Sequence, residues 1–227
     1  NGEVKHAVEE ERFSRIKHSG GIPYKSIDFI LNEEKISLNE IDCLAVYWNP
    51  YLLPARTLIF VSNILANFKS IKTKISRALN VFQGSSDIDS GWIDILLIRY
   101  RLKKKYGTLP KKIEFHDHHL SHVASAFYAN DYKKSNVLAM DGAGEVDATS
   151  IAIAEDNEIS FLKKIKLPNS LGHFYSSFTG FLGFKMLDGE YKLMGLAPYG
   201  QPIYRDWIKQ NILIPSNEFF YSLNYKN

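Results

Sequence analysis

The sequence contains one cysteine, Cys43, so no disulfide can form within the chain. The lack of disulfides fits a reducing, cytoplasmic compartment. Long apolar runs are also lacking: the longest, near 58–65, is interrupted by Ser62 and Asn63 and is shorter than the roughly 20 residues of a membrane span. The polar, acidic residues 1–11 do not resemble a signal peptide. We therefore expect a cytoplasmic protein without a membrane partner.

A large excess of one charge sign is lacking as well. The 227 residues carry a formal net charge of +3, with 45% hydrophobic and 23% charged residues, as in ordinary globular proteins. Charge alone therefore predicts no nucleic-acid partner. The basic residues around Tyr100 and Tyr106 are interpreted as a solvated helix face, with nucleic-acid contact as the less favoured alternative. The length allows one large domain or two small ones.

The first third of the chain combines strand and helix patterns. Residues 3–9 have the pattern of a strand that needs a preceding partner, and the chain does not begin with methionine, so we expect the natural N-terminus to be missing. Apolar spacing predicts a helix over 24–34. A short capped turn over 37–42 and a buried strand over 43–48 follow.

Residues 55–106 differ from the rest of the chain because their sequence contains no strand patterns. Helices are predicted over about 55–68, 70–81 and 90–106. We interpret this region as a helical insertion.

The rest of the chain alternates strands and helices. The predicted elements are a strand over 113–115, a helix over 118–129, a buried strand over 136–140, strands over 148–155 and 158–166, and a helix over 171–183. Turns are predicted at Asp141–Gly142 and Asp156–Asn157. This order is typical of an α/β domain.

The clearest chemical signal is a histidine pair. His118 and His122 are four residues apart, so on a helix both imidazoles lie on one face, within reach of one metal ion. Asp117 stands where a helix N-cap belongs. The zinc-protease pattern His-Glu-x-x-His is not met, since His119 replaces the glutamate that would be the general base. A helix that carries histidines without binding a metal remains the alternative.

A second signal follows a predicted strand. Asp141 comes at its end, and ligands gather at strand ends in α/β sheets. Gly142 and Gly144, with Glu145 next to them, allow backbone amides to approach an oxyanion or a phosphate closely. A simple hairpin turn is the alternative. The histidine pair and Asp141 together form a mixed nitrogen and oxygen set that suits iron, zinc or manganese.

A third signal is rich in glycine. It comprises Gly172, in the segment SLGHFYSSFT, and the later stretch GEYKLMGLAPYG, which begins at Gly189. Glu190 and Lys192 are polar groups beside glycines, as in a nucleotide pocket. A helix packed on the sheet with a glycine-rich connector is the alternative.

Five segments together resemble the carbamoyltransferase family that includes the nodulation protein NodU and the antibiotic O-carbamoyltransferase TobZ. The segments are residues 8–18, 117–127, 141–145, 170–179 and 189–200. The stretch EYKLMGLAPYG is the most specific of them. The helical region 55–106 carries no resemblance.

The resemblance implies an α/β fold of the actin/Hsp70-like (ribonuclease H-like) type. Residues 1–227 would form its first lobe, incomplete at both ends, with 55–106 inserted. It implies a divalent metal, first of all iron, held by His118, His122 and Asp141. It also implies bound ATP, with contacts from Gly142, Gly144, Glu145, Gly172, Gly189, Glu190 and Lys192.

The implied reaction has two steps. Carbamoyl phosphate and ATP give carbamoyl-adenylate, and the carbamoyl group then passes to a hydroxyl of a sugar or antibiotic-like acceptor. The general base would precede residue 1, so no catalytic residue is assigned here. We expect the chain alone to be inactive, and its uncovered apolar surface to favour a homodimer or aggregation.

Two alternatives stay open beside this resemblance. One is another ATP-dependent enzyme of the actin fold, such as a sugar kinase or a tRNA threonylcarbamoyl transferase. The other is a non-enzymatic module that binds a metal or a nucleotide.

The chain departs from the family pattern at four positions. Aspartate, phenylalanine, an aromatic residue and threonine are usual where this chain has Ser19, Ile22, Val146 and Ala148.

Overall fold

The computed structural model describes residues 3–17, 19–52, 54–55, 58, 94–216 and 220–224. These residues divide into two compact units. The first unit comprises described residues up to Tyr51 and from 94 to His116, and the second comprises mainly those from Asp117 onward. Most of the helices predicted over 55–68 and 70–81 lies outside the described residues. No described helix is both long enough and apolar enough to span a membrane.

Among the described residues, the first unit combines three α-helices with a parallel pair of strands. Its elements are α1 (Glu10–Ser14), α2 (Tyr24–Glu34), β1 (Cys43–Val46), α3 (Ile98–Tyr106) and β2 (Lys112–Phe115). The aliphatic core consists of Ile22, Leu38, Ile98, Leu102 and Ile113. The helix predicted over 24–34 and the capped turn are confirmed, the latter as a 3-10 helix in which Ser37 and Glu40 form a capping box.

The α1 helix supplies the cap for α2. The Glu10 carboxylate accepts hydrogen bonds from the backbone N–H groups of Lys25 and Ser26, at 3.2 and 2.8 Å. These groups lie in the first turn of a helix, where backbone donors lack partners within the helix. The acidic segment before Phe13 therefore has a structural role in starting α2.

Two strand predictions in this unit are wrong in part. Residues 3–9 join no strand among the described residues, and instead Lys5 and His6 contact Glu34 of α2. The β1 strand was predicted to be buried, but its residues alternate between exposed and half-buried. The cause is that alternate side chains of a strand face opposite sides: Leu44 and Val46 pack against the aliphatic core, whereas the side of Cys43 and Ala45 is exposed.

The second unit is built on a three-stranded antiparallel sheet. The strands β3 (Lys134–Gly144), β4 (Asp147–Glu155) and β5 (Glu158–Lys166) pair in that order. The helices are α4 (His118–Tyr128), α5 (Leu171–Phe181), α6 (Glu190–Leu196) and α7 (Arg205–Asn211), and a hairpin comprises β6 (Leu213–Ser216) and β7 (Phe220–Leu223). Both α4 and α5 contact β3. The predicted mixed α/β class is thus confirmed.

The β3 strand corrects two predictions. It was expected to be buried over 136–140, yet Leu138 and Met140 are 59% and 54% exposed, because alternate side chains face opposite sides and only one side packs against Val123 of α4. A turn was expected at Asp141–Gly142, but β3 continues to Gly144, which pairs with Asp147.

The register of β3 shifts between Met140 and Gly144. Extra residues in one strand bend it locally and re-aim its side chains. This irregularity holds Asp141 next to the start of α4, where the candidate site lies.

Candidate metal centre and adjoining cavity

The helix that carries the histidine pair begins where the sequence predicts. Asp117 is the N-cap of α4, and its Oδ1 accepts a hydrogen bond of 3.0 Å from the Leu120 backbone N–H. Its second oxygen, Oδ2, lies 2.9 Å from the Lys164 Nζ. The cap fixes the start of the helix, where His118 and, one turn later, His122 project on one face.

Three side chains meet at one point. The Nε2 atom of His118 lies 2.8 Å from Asp141 Oδ2 and 3.0 Å from His122 Nε2. The distance from His122 Nε2 to Asp141 Oδ2 is 3.8 Å. One ligand atom from each residue lies within 4.8 Å of the others, so the cluster can hold a metal ion. His118 is buried, Asp141 is half-buried and His122 is exposed, so the cluster lies at the edge of the interior.

The donor set fits a metal in charge as well as in geometry. The hydrogen bond from His118 and that from the Gly142 N–H, at 2.6 Å, lower the pKa of Asp141 to about 2, although burial acts in the opposite direction. Asp141 is therefore a carboxylate at neutral pH. Two imidazoles and one carboxylate are ligands that iron, zinc and manganese accept. Three protein ligands also leave coordination positions open for a substrate or water.

His119, the histidine next to the pair, is part of the buried interior. His119 is fully buried, and its Nδ1 lies 2.6 Å from the Ser150 hydroxyl. Burial lowers the pKa of His119, which favours the neutral ring. Its ring packs so closely on β3 that a Cβ added to Gly144 would lie 2.6 Å from His119 Nε2 and 2.8 Å from His118 Cδ2. Gly144 thus allows both rings to approach the sheet.

Glu145 lies behind the histidines in the interior. It is 1% exposed, has a φ of 59° and accepts a 3.4 Å hydrogen bond from the His118 backbone N–H. Gly144 and Glu145 were both predicted to contact a nucleotide. In the structure they lie against the histidines and are not among the residues that line the adjoining cavity.

A cavity of about 530 Å³ lies beside Asp141. It falls in the range of roughly 300–1,000 Å³ that is typical of small-molecule sites. Its lining consists of Met140, Asp141, Gly142, Thr149, Leu171, Gly172, Tyr175, Ser176, Leu187 and Glu190. The structure thus brings three of the predicted nucleotide contacts, Gly142, Gly172 and Glu190, into one cavity with a predicted metal ligand.

The start of α5 packs tightly on the end of β3. A Cβ on Gly172 would lie 2.7 Å from the Gly142 Cα and 3.0 Å from the Asp141 carbonyl oxygen. The hydroxyl of Ser170, the N-cap of α5, donates to the Gly142 carbonyl at 2.6 Å and accepts from the His173 N–H at 3.0 Å. The backbone of Gly142 and Gly172 therefore forms a wall of the cavity next to Asp141.

Glu190, which also lines the cavity, is held in place by hydrogen bonds. Its carboxylate accepts hydrogen bonds from the Ser176 hydroxyl at 2.6 Å and the Leu187 N–H at 2.8 Å. Although burial acts to raise it, the pKa of Glu190 is lowered by these bonds. Gly189 is buried just before it. Lys192 is exposed on α6, with its Nζ 5.8 Å from the Tyr191 ring centroid, and is not among the described lining residues.

The sequence analysis singled out the segment 170–179 but gave no individual role to Ser170 or Ser176, and it did not consider Lys164. Ser170 had a usable signal, because serine before a helix is a common N-cap. Ser176 and Lys164 carried no local signal, since they contact Glu190 and the pair Asp117 and Asp147, which are distant in the sequence.

Comparisons with known proteins show the family of this chain. The carbamoyltransferase N-terminus family matches residues 1–226. An uncharacterized protein of Synechocystis sp. is 38% identical over 222 residues, which are 94% of this chain and 34% of that protein. The nodulation protein NolNO of Sinorhizobium fredii is 35% identical over 213 residues, 92% of this chain and 28% of NolNO.

A shorter match covers part of the chain. The nodulation protein NolO of Bradyrhizobium diazoefficiens is 41% identical over 95 residues, 41% of this chain and 17% of NolO. The chain thus spans about a third, or less, of the length of these relatives. Because the family match extends along nearly the whole sequence, the chain belongs to the carbamoyltransferase family and corresponds to its N-terminal part.

Proposed function

We propose that the full-length protein is an ATP-dependent O-carbamoyltransferase. Carbamoyl phosphate is hydrolysed to carbamate and phosphate, and carbamate reacts with ATP to give carbamoyl-adenylate and pyrophosphate. The carbamoyl group then passes to a hydroxyl of a sugar or antibiotic-like acceptor, with release of AMP. Membership of the carbamoyltransferase family gives the transferase class. The specific donor, nucleotide and acceptor are the proposed part.

One observation carries the proposal: Asp141 belongs to both the metal cluster and the cavity. A ligand in the cavity would therefore lie beside a metal held by His118, His122 and Asp141. The volume suits a small molecule, and the start of α5 lies at its wall. Backbone N–H groups at a helix N-terminus favour anions such as phosphate.

The protein's own groups have separable roles in this proposal. His118, His122 and Asp141 would hold iron or another divalent metal, which supplies Lewis acidity toward a carbonyl or phosphoryl oxygen. Gly142 and Gly172 give a nucleotide close access to the backbone, since neither presents a side chain to the cavity. Glu190 is a fixed carboxylate that can accept hydrogen bonds from ligand hydroxyl or amino groups.

The actin/Hsp70-like fold and the remaining nucleotide contacts are proposed on the family resemblance, whereas the region 55–106 carries no resemblance and its role is a separate hypothesis. We propose that the two units belong to an actin/Hsp70-like domain and that the region 55–106 contributes acceptor contacts. Nucleotide contacts from Gly144, Glu145, Gly189 and Lys192 stay predictions, as does a cytoplasmic location.

The proposal is tested first by elemental analysis of the full-length protein. We expect a divalent metal, with iron in first place, in the wild type and its loss in His118→Ala and Asp141→Ala. His116→Ala is the matched control, because His116 is part of the first unit and contacts Glu114 instead of the cluster. A wild type without metal, or variants that retain it, would contradict the metal centre.

The reaction is tested by incubating the same protein with carbamoyl phosphate, ATP and a panel of sugars. We expect formation of a carbamoylated sugar that requires ATP and is lost in Asp141→Ala. Product formation without ATP would refute the adenylate route. No product with any hydroxyl acceptor, from a protein that holds its metal, would contradict the proposed transfer while leaving the metal centre intact.

A further inference from the structure

Lys164 on β5 is a half-buried cation with two carboxylate partners. Its Nζ lies 2.9 Å from Asp117 Oδ2 and 2.9 Å from Asp147 Oδ2. The side chains of Lys164 and Asp147 are 26% and 4% exposed, and the ammonium lies 4.2 Å from the Phe161 ring centroid. Water has less access to this arrangement than to the exposed pair of Lys134 and Glu155 in the same sheet.

One partner caps the helix that supplies the two histidines, and the other lies on the strand that pairs with the strand of Asp141. Asp117 caps α4, which carries His118 and His122. Asp147 opens β4 and pairs with Gly144, which closes the irregular end of β3 where Asp141 lies. A single ammonium thus joins the start of the histidine helix to the start of β4, which pairs with the end of β3 beside Asp141.

We propose that Lys164 is a positioning residue of the metal centre, which sets the distance between the histidine pair and Asp141 by bridging Asp117 and Asp147. This inference rests on the metal site of the proposed function. It does not require that Lys164 contact the metal or the substrate.

Loss of the ammonium has a defined physical consequence. Two carboxylates that are partly or fully withdrawn from water would face each other without a cation. Asp117 would then turn toward solvent or weaken its bond to the Leu120 N–H, and the first turn of α4 would shift relative to β3. Groups that orient metal ligands from behind typically change affinity by about 10–100-fold when they are replaced.

The test is a Co²⁺ titration of the full-length protein. The absorption spectrum of bound Co²⁺ then reports the coordination geometry. We expect Lys164→Met to weaken Co²⁺ binding by about 10–100-fold and to alter the spectrum. Lys164→Arg should restore part of the affinity because it keeps the charge. Lys134→Met is the matched control: Lys134 contacts Glu155 at 2.6 Å in the same sheet, but both side chains are more than half exposed. We expect this control to bind Co²⁺ like the wild type.

The outcomes separate the two proposals. A wild type that binds no Co²⁺ would overturn the metal centre and this inference together. A wild type that binds Co²⁺ with the same affinity and spectrum as Lys164→Met would overturn the role of Lys164 alone.

Should circular dichroism reveal that Lys164→Met is unfolded, Asp117→Asn decides the question. Asparagine caps helices about as well as aspartate, so this variant keeps the cap and removes only the charged partner of Lys164. Weaker Co²⁺ binding by folded Asp117→Asn would support the inference, and unchanged binding would refute it.

Discussion

The two units differ in what they bury. In the first unit, the buried residues that the structure describes are almost all aliphatic or otherwise apolar, and Ser26 is the polar exception. In the second unit, the buried set includes His118, His119, Glu145 and Asp147, together with several serines and threonines. The hydrophobic residues among them are mainly small, such as Ala148 and Ala152.

This difference indicates a division of tasks. Burial of large aliphatic side chains is the main source of stability in a folded domain. Buried polar groups contribute little net stability, yet they fix geometry when each has a partner. We therefore expect the first unit to depend on packing, and the second to depend on close approach and hydrogen bonds around Asp141.

The largest expected effect is in the aliphatic core of the first unit. Leu102 is fully buried, so Leu102→Ala should lower the free energy of unfolding by about 2–5 kcal/mol, measured by urea denaturation. Leu96→Ala, at a half-exposed position, is the control and should have a much smaller effect. Bound Co²⁺ per folded molecule should stay unchanged in both variants. Equal destabilisation by the two substitutions would contradict a core centred on Leu102.

The next effect concerns close approach in the second unit. A Cβ on Gly172 would meet the backbone of Gly142, which cannot rotate away, so Gly172→Ala should lower the free energy of unfolding by about 1–3 kcal/mol. It should also weaken Co²⁺ binding, because Asp141 adjoins Gly142. Gly195→Ala is the matched control, since nothing lies within 4 Å of its Cβ position in α6. That variant should be stabilised by about 0.5–1 kcal/mol. Thermal unfolding distinguishes the two variants. A Gly172→Ala variant as stable as the wild type would contradict the tight contact between Gly172 and Gly142.

Local features of the fold could be predicted from the sequence. The α2 helix, the Asp117 cap and the approach of His118 to His122 all depend on residues within one or two turns of each other. Their physical causes, apolar spacing, capping and the helical repeat, are written into a short stretch of chain.

Features that depend on distant contacts could not be predicted in this way. The Asp141–Gly142 segment has the composition of a turn, yet it remains in β3, where the Ser170 hydroxyl donates to the Gly142 carbonyl across 28 positions of sequence. Lys164 lies 47 positions from Asp117, so no local pattern relates the two. The contacts predicted between the glycines and a nucleotide also depend on distant parts of the chain, so they remain predictions.

A smaller effect is expected at the polar anchor of α5. Ser170 is fully buried, and Ser170→Ala removes both the N-cap and the hydrogen bond to the Gly142 carbonyl. We expect a loss of about 1–2 kcal/mol in the free energy of unfolding. Ser177→Ala, at an exposed position of the same helix, should change it less. If urea denaturation reveals the same loss in both variants, Ser170 acts as an ordinary helix residue and not as an anchor.

The smallest expected effect is the pH dependence that Asp141 contributes in the metal-free chain. Its pKa is about 2 in the folded state against an ordinary value of 3.8, so its hydrogen bonds stabilise the folded state fully above pH 3.8. That stabilisation is lost as the pH falls toward about 2. Because the side chain is one-third exposed to water, we expect about 1 kcal/mol or less.

The measurement compares urea unfolding of the wild type and Asp141→Asn between about pH 6 and pH 2. The difference in the free energy of unfolding between the two proteins should shrink as the pH decreases. Protonation removes from the wild type the charge that the variant lacks. Asp42→Asn is the control in the first unit, where Asp42 is largely exposed beside Lys111, and its difference from the wild type should change less with pH. A constant difference between wild type and Asp141→Asn would mean that the Asp141 carboxylate is not held by His118 and Gly142. The second unit would then lose the charged, hydrogen-bonded centre that distinguishes it from the first.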